Sequence, residues 1–185
     1  MSETEYGFDP AKLRAARDAA GASVAQIARA AGVSERAVNL YLAGSRTPRP
    51  ETLVQLAAAV GVAPADLCSV EHELLAHLRV FTGRSRAAMA QALGMAEETY
   101  RQPETTGHRG RLSSSRYDHA QDRWIAWQEW APPLFGVTAE RLLAAEQHTR
   151  EHYSAEREER WRQLRERDPD RVAMIEELGR RLREQ

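Results

Sequence analysis

Gly21, Gly32, Gly44 and Gly61 cut the N-terminal third of the chain into stretches that fit only a cluster of short helices. Between them, apolar residues recur at three- and four-residue intervals: Leu13 and Ala16; Val24, Ile27 and Ala28; Val38 with Tyr41 or Leu42; Leu53, Leu56, Ala57 and Val60. The starts are marked as well as the stops. Asp9-Pro10 is an N-cap followed by a proline at the one helical position where a missing N–H is harmless, and it opens a helix over Ala11–Ala20. Ser23 caps a second helix, with Gln26 at the reciprocal position of a capping box, and Ser34 caps a third over Glu35–Ala43. The linker Ser45-Arg46-Thr47-Pro48-Arg49-Pro50 cannot be helical, because two prolines remove donors and restrict their neighbours. A fourth helix, Glu51–Val60, and a turn opened by Pro64-Ala65-Asp66-Leu67 complete the unit.

Two helices joined by a tight glycine turn, the second serine-capped, are what docking in a DNA major groove requires. The string Ser23-x-x-x-Ile27-Ala28-x-x-x-Gly32-Val33-Ser34-x-x-x-Val38, then Gly44-x-Arg46-x-Pro48, then Leu53-x-x-Leu56-Ala57-x-x-x-Gly61-Val62 resembles the Cro/repressor (XRE) helix-turn-helix family over about Asp9 to Cys68. The resemblance implies a five-helix domain that binds operator DNA as a symmetric dimer. It places Glu35, Arg36, Asn39 and Leu40 toward base edges. The polar three have chemistry suited to base reading. Arg36 can pair with guanine O6 and N7, Asn39 with adenine N6 and N7, and Glu35 with a cytosine amino group. Glu35 has an equally good local role as a partner for the dipole of its own helix. Arg46, Arg49 and Ser23, or the amides at the start of helix two, are expected at phosphates. One position departs from the family: Val24 follows the helix-two cap, where a phosphate-gripping Gln is frequent.

Charge agrees locally. The formal net charge of the chain is −1, so no global positive field advertises nucleic-acid binding. Between Ser23 and Pro50, however, Arg29, Arg36, Arg46 and Arg49 face a single acid, Glu35. Cys68 is the only cysteine, which excludes an internal disulfide, and it reads as a small core residue. The acidic N-terminus is no signal peptide and no apolar run is long enough to span a bilayer, so a cytoplasmic, nucleoid-associated protein without membrane contact is expected.

The chain then echoes itself. Shifted by 62 residues, Leu13, Gly21, Ser23, Ile27, Ala28 and Gly32 fall on Leu75, Gly83, Ser85, Met89, Ala90 and Gly94. Shifted by 75, Gly61-Val62 and Leu67 fall on Gly136-Val137 and Leu142. The difference lies in a loop-like stretch at 105–118. The fold expected is all-α: a short arm at 1–8, a repressor-type module at 9–68, a diverged second module at 71–147, and a charged helical tail at 148–185. In the second copy the third helix is Glu97–Gln102, and Glu97 and Glu98 take the positions of Glu35 and Arg36, which repels phosphate. Arg101, Gln102, Arg109 and Arg111 are its remaining candidate DNA contacts, with Arg116 beside them; a protein-binding surface is the alternative. Helix Ala120–Ala131 is expected to carry Trp124, Trp127 and Trp130 near one face as core or interface anchors. In the tail, Glu156/Arg160 and Glu158/Arg162 have the i,i+4 order of a solvated helix, and Asp168-Pro169 starts a last one with a stripe of Val172, Ile175, Leu178 or Gly179, and Leu182.

His148-x-x-Glu151-His152 matches an inverted zinc-peptidase pattern. No third ligand is evident, and two solvated histidines are the plainer reading. No enzyme activity, metal or cofactor is therefore expected. The function expected is sequence-specific binding of double-stranded DNA by a homodimeric transcription regulator. The alternative is a protein-interaction adaptor or antitoxin on the same scaffold, its partner held by the second module or the C-terminal helices.

Overall fold

A computed structural model describes residues 6–109 and 115–183. Its N-terminal part is helical: α1 (Pro10–Ala20), α2 (Val24–Ala31), α3 (Glu35–Leu42) and α4 (Pro50–Val60), then a 3-10 turn at Pro64–Leu67. The caps are those the sequence marks. Asp9 accepts from the Ala11 amide, Ser23 and Gln26 form the reciprocal box, and Ser34 accepts from the Ala37 amide. Leu13, Ile27, Val38, Leu53, Leu56 and Leu67 meet in one core in which each is 0% exposed. Val24, the departure from the family pattern, is half-buried against this core.

The described end of the N-terminal arm is part of that core. Tyr6 is fully buried and its hydroxyl donates to the Pro48 carbonyl at 2.6 Å. Phe8 pairs with Cys68 in an antiparallel bridge, and the Ser69 amide donates to the Gly7 carbonyl at 2.7 Å. Gly7 has φ +76°, and a Cβ there would stand 2.7 Å from the Ser69 carbonyl oxygen, so the two segments approach this closely only because residue 7 lacks a side chain. Cys68 is buried, and burial pushes its thiol up to about 12, which makes it a packing residue and not a nucleophile.

The chain continues as α5 (Leu75–Phe81), α6 (Arg86–Ala92), α7 (Glu97–Thr106), a hairpin of β1 (Ser115–Asp118) and β2 (Arg123–Ala126), α8 (Trp127–Trp130), α9 (Pro132–Phe135), α10 (Ala139–Arg167) and α11 (Pro169–Arg183). Leu75, Leu78, Met89, Ala90, Tyr100, Trp127, Phe135 and Leu142 build a second buried cluster. Helix α5 lies between the clusters. Its residues from Leu75 to Val80 are all buried; Leu75 and Leu78 belong to the second cluster, Val80 to the first.

The helix expected over Ala120–Ala131 is instead a hairpin followed by a single helical turn. Asp118 accepts from the amides of Ala120 and Gln121, which tightens the turn, and Tyr117 and Trp124 pack edge to face across the strands with ring centroids 5.4 Å apart. The tryptophan stripe is accordingly split: Trp124 is 65% exposed, Trp127 is 4% exposed in the second cluster, and Trp130 packs beside it. The stretch at 105–118 is not all loop either. Helix α7 runs on to Thr106, and residues 115–118 are a strand. In the tail, Arg160 pairs with Glu156 as expected, whereas Arg162 pairs with Glu159, one residue away from the expected Glu158.

The second cluster encloses charge. Arg79 and Glu104 side chains are each 1% exposed, and Arg79 Nε donates to Glu104 Oε1 at 2.5 Å. Arg86 Nε donates to the other oxygen at 2.8 Å, the Tyr100 hydroxyl to Oε1 at 3.3 Å, and Arg79 also reaches the Arg84 carbonyl at 2.9 Å. Burial makes the Tyr100 phenol harder to ionise, and the adjacent Glu104 charge adds to this.

Candidate nucleic-acid interface

Helix α3 is held from behind. Val38, Tyr41 and Leu42 are buried, and the helix packs on α1 and α2. The opposite side carries Glu35, Arg36 and Asn39, all exposed, with Leu40 half-buried at its edge. These four share one face because the i, i+1, i+4 and i+5 positions of a helix project within an arc of about 140°. Among the described residues no later helix covers Glu35, Arg36 or Asn39, so this face is open to a groove. Glu35 occupies the first turn of α3, where a carboxylate also suits the helix dipole.

The flanking basic residues are equally available. Arg46 is exposed in the linker, and Arg49 is exposed at the N-cap of α4 without a side-chain cap bond. Among the described residues, Arg29, Arg36, Arg46 and Arg49 are in none of the ion pairs. A guanidinium that is exposed and unpaired keeps its full charge for a phosphate or a base. Ser23 is exposed at the start of α2, but its atoms are largely used: Oγ accepts from the Gln26 amide at 3.2 Å and its own amide donates to Gln26 Oε1 at 2.8 Å. What remains for a phosphate is the Ser23 hydroxyl hydrogen and the first-turn amides of Val24 and Ala25.

The corresponding residues of the second half are arranged differently. Arg101 is exposed but held by Glu98 through three contacts of 2.6–3.0 Å. Gln102 is exposed, and its carbonyl accepts from the Thr106 hydroxyl at 2.7 Å. Arg109 forms a two-bond fork with Glu146 at 2.6 and 2.8 Å and lies over the Trp127 ring, 5.4 Å from its centroid. Arg116 lies over Trp130 at 5.9 Å. Arg111 falls outside the described residues. The sequence displayed the arginines. The Arg101–Glu98 pair spans three residues of one helix, a spacing the sequence also contains, whereas the Arg109–Glu146 fork joins residues 37 positions apart, which no local pattern reveals.

No described helix is long and apolar enough to cross a membrane. No curated protein and no solved structure matches the chain. Residues 11–68 match the family described as a helix-turn-helix domain. A domain of this kind points in general to a DNA-binding regulator. With α2 and α3 as its two paired helices and α3 presenting its polar side, the segment 11–68 is therefore a helix-turn-helix domain, consistent with the Cro/repressor type.

Proposed function

We propose that this chain is a transcription regulator that reads double-stranded DNA in a sequence-specific way and acts by occupying an operator as a homodimer. The observation that carries the reading is the open face of α3: Arg36 and Asn39 exposed and unpaired, with Arg46 and Arg49 beside them. In this reading it works in the cytoplasm, on the nucleoid, and catalyses no reaction. A single helix offers only a few base contacts, too few for useful specificity, and a two-fold arrangement doubles them. Selection of bound sequences from random duplex DNA is expected to return a two-fold symmetric site with half-site centres one helical turn, or a multiple, apart. Failure to enrich any sequence, together with binding that does not weaken as salt rises, rejects the proposal.

For the dimer contact, α11 is the proposed element. Val172 is buried and Ile175 partly so on the side facing α10, while Met174, Leu178 and Leu182 are 58%, 52% and 74% exposed. Leu178 and Leu182 continue the apolar arc beyond what α10 covers, and Glu177, Arg180 and Arg181 flank it with both signs of charge. Two helices alone bury little; a second hairpin from another copy completes a four-helix arrangement. Leu178→Glu with Leu182→Glu is expected to convert a dimer to a monomer in analytical ultracentrifugation with the helix content unchanged; an unaltered sedimentation coefficient places the contact elsewhere.

Residues 71–147 are proposed to be a diverged second module, distinct from 9–68 and from the tail at 148–185. Supporting this, the Ser85 cap, the turn glycines Gly83 and Gly94, and buried Met89 and Tyr100 recur 62 residues after Ser23, Gly21, Gly32, Ile27 and Val38. Gly136 and buried Leu142 follow Gly61 and Leu67 by 75. The pairing of Arg101 with Glu98 and of Arg109 with Glu146 favours protein contact over DNA contact for this module.

A further inference from the structure

Helix α5, the element shared by the two clusters, starts on a buried histidine. Four histidines, His72, His77, His148 and His152, line one cleft of about 670 Å³ between the linker after Cys68 and the first half of α10, and of these only His77 is buried. His77 Nδ1 accepts from the Leu74 amide at 2.9 Å. An amide can only donate, so Nδ1 carries a lone pair and the ring proton sits on Nε2. Leu74 is the N-cap of α5 and is itself buried, so His77 fills the place that Glu or Gln takes in a capping box. The next amide, of Leu75, donates to buried Thr149 of α10 at 3.0 Å. From this arrangement we propose that the start of α5 is a pH-sensitive joint: a second proton on His77 has only Nδ1 to bind, and there it displaces the Leu74 amide, uncaps α5 and loosens the helix that the helix-turn-helix domain and the second half share.

The surroundings of His77 oppose that proton. Burial disfavours the imidazolium most, Glu73 favours it and His152 disfavours it, and the balance pushes the ring down to about 4 from the ordinary 6.5. Glu73 helps little because a fork to Arg141 at 2.6 and 2.7 Å already holds its carboxylate. The linker also brings Glu71 and His72 to the cleft, and α10 brings His148, Glu151, His152 and Glu156. His72 lies against His148 with ring centroids 4.8 Å apart, His152 Nε2 is 3.2 Å from Glu156, and Glu151 accepts from Gln147 at 2.6 Å. The other helices packed on α5 add no carboxylate free to pair with an imidazolium in its interior: α4 carries Glu51, which is exposed, α9 is uncharged, and on α7 the buried Glu104 is held by Arg79 and Arg86, with Glu97, Glu98 and Arg101 exposed. A cation in the first turn of α5 also opposes the dipole of its helix.

Unfolded, His77 takes its proton near pH 6.5; folded, it does so only near pH 4. Between these values the unfolded chain binds the extra proton, so the stability that His77 contributes is complete above about pH 6.5 and is lost as the pH falls toward 4. The loss is felt at the junction of the molecule. Leu75 and Leu78 of α5 pack in the second cluster and Val80 in the first, while the preceding linker is fixed to the helix-turn-helix domain by Ser69, whose hydroxyl donates to Asp9 at 2.8 Å. Acid therefore acts on how the DNA-binding part is carried by the rest of the chain, and it leaves the caps of α2 and α3, which contain no histidine, in place.

The test compares the full chain with His77→Gln, which supplies a capping-box acceptor that takes no proton, and with His77→Phe, which keeps an aromatic ring and lacks the acceptor. In urea unfolding, the unfolding constant of the parent is expected to rise about thirtyfold more than that of His77→Gln between about pH 7.5 and about pH 5. His77→Phe is expected to be less stable than His77→Gln by at least about fivefold in the same constant at both pH values. In the parent, the His77 ring is expected to titrate near pH 4 by NMR. Hydrogen exchange, corrected for its intrinsic rate, is expected to show residues 74–81 losing protection at the lower pH in the parent but not in His77→Gln, with residues 24–31 unchanged in both. Parallel pH dependence in the parent and His77→Gln overturns the proposal, as does a His77 titration near 6.5 or a His77→Phe variant as stable as His77→Gln. Equal loss of protection in 24–31 and 74–81 also overturns it, since acid then acts on the whole molecule and not at the joint. None of these readouts involves DNA, so the regulator proposal and this one fail independently.

Discussion

Glu104→Ala is expected to destabilise the second half of the molecule by about 3–5 kcal/mol, one of the largest single losses any side chain here can cause. The reason is the charge left behind. Arg79 is 1% exposed, and its Nε is held at 2.5 Å by the Glu104 carboxylate. Without that carboxylate a buried guanidinium keeps only the Arg84 carbonyl, and Arg86 loses its partner on the other oxygen. Apolar replacement of both partners is a different matter, because Arg79 and Glu104 then leave no charge of their own inside: Arg79→Met with Glu104→Leu is expected to recover most of the loss. All four tryptophans lie at or beyond Trp124, and Trp127 is in the second cluster, so urea unfolding followed by tryptophan fluorescence reports on this half. A midpoint unchanged by Glu104→Ala means that no buried charge is stranded. A double variant less stable than the single one means that the pair contributes more than its desolvation costs.

The second large effect concerns DNA. Once a preferred duplex is in hand, Arg36→Ala and Asn39→Ala are each expected to weaken binding to it by about 1–3 kcal/mol, roughly tenfold to a hundredfold, and to relax the preference at the base pair contacted. Arg46→Ala and Arg49→Ala are expected to weaken binding to all duplexes alike and to lower the slope of log affinity against log salt by about one each. The two patterns separate base reading from phosphate holding. Both pairs of residues are exposed, so the folded domain tolerates the changes. Fluorescence anisotropy over a salt series, with preferred and scrambled duplexes, measures all four. If Arg36→Ala and Arg46→Ala behave identically on both duplexes, α3 does not read bases.

Much of the N-terminal domain was legible in the sequence because the information was local. Asp9, Ser23 and Ser34 cap, the glycines stop, and the three- and four-residue apolar rhythm buries Leu13, Ile27, Val38 and Leu53. Each signal acts within one helical turn, so a linear string carries it whole. Trp124, Trp127 and Trp130 show where local reading fails. Their spacing fits a helix, but Trp124 finds Tyr117 across a hairpin whose pairing no one-strand pattern contains. Arg109 fails for the same reason: a charge counted as available in the sequence is paired with Glu146, 37 positions away, whereas the Arg101–Glu98 pair lies within one helical turn and its spacing was there to read.

By itself, then, the order of residues determined a helix-turn-helix unit over the first third of the chain and which side of its third helix would face outward, since capping, periodicity and turn chemistry all operate between near neighbours. Only tertiary structure decided that α5 would be enclosed between two cores, that Arg79 would need Glu104, and that His72 would lie against His148. Those outcomes depend on residues 25 to 76 positions apart meeting in space, and such meetings are set by how whole helices pack rather than by the turn each residue belongs to.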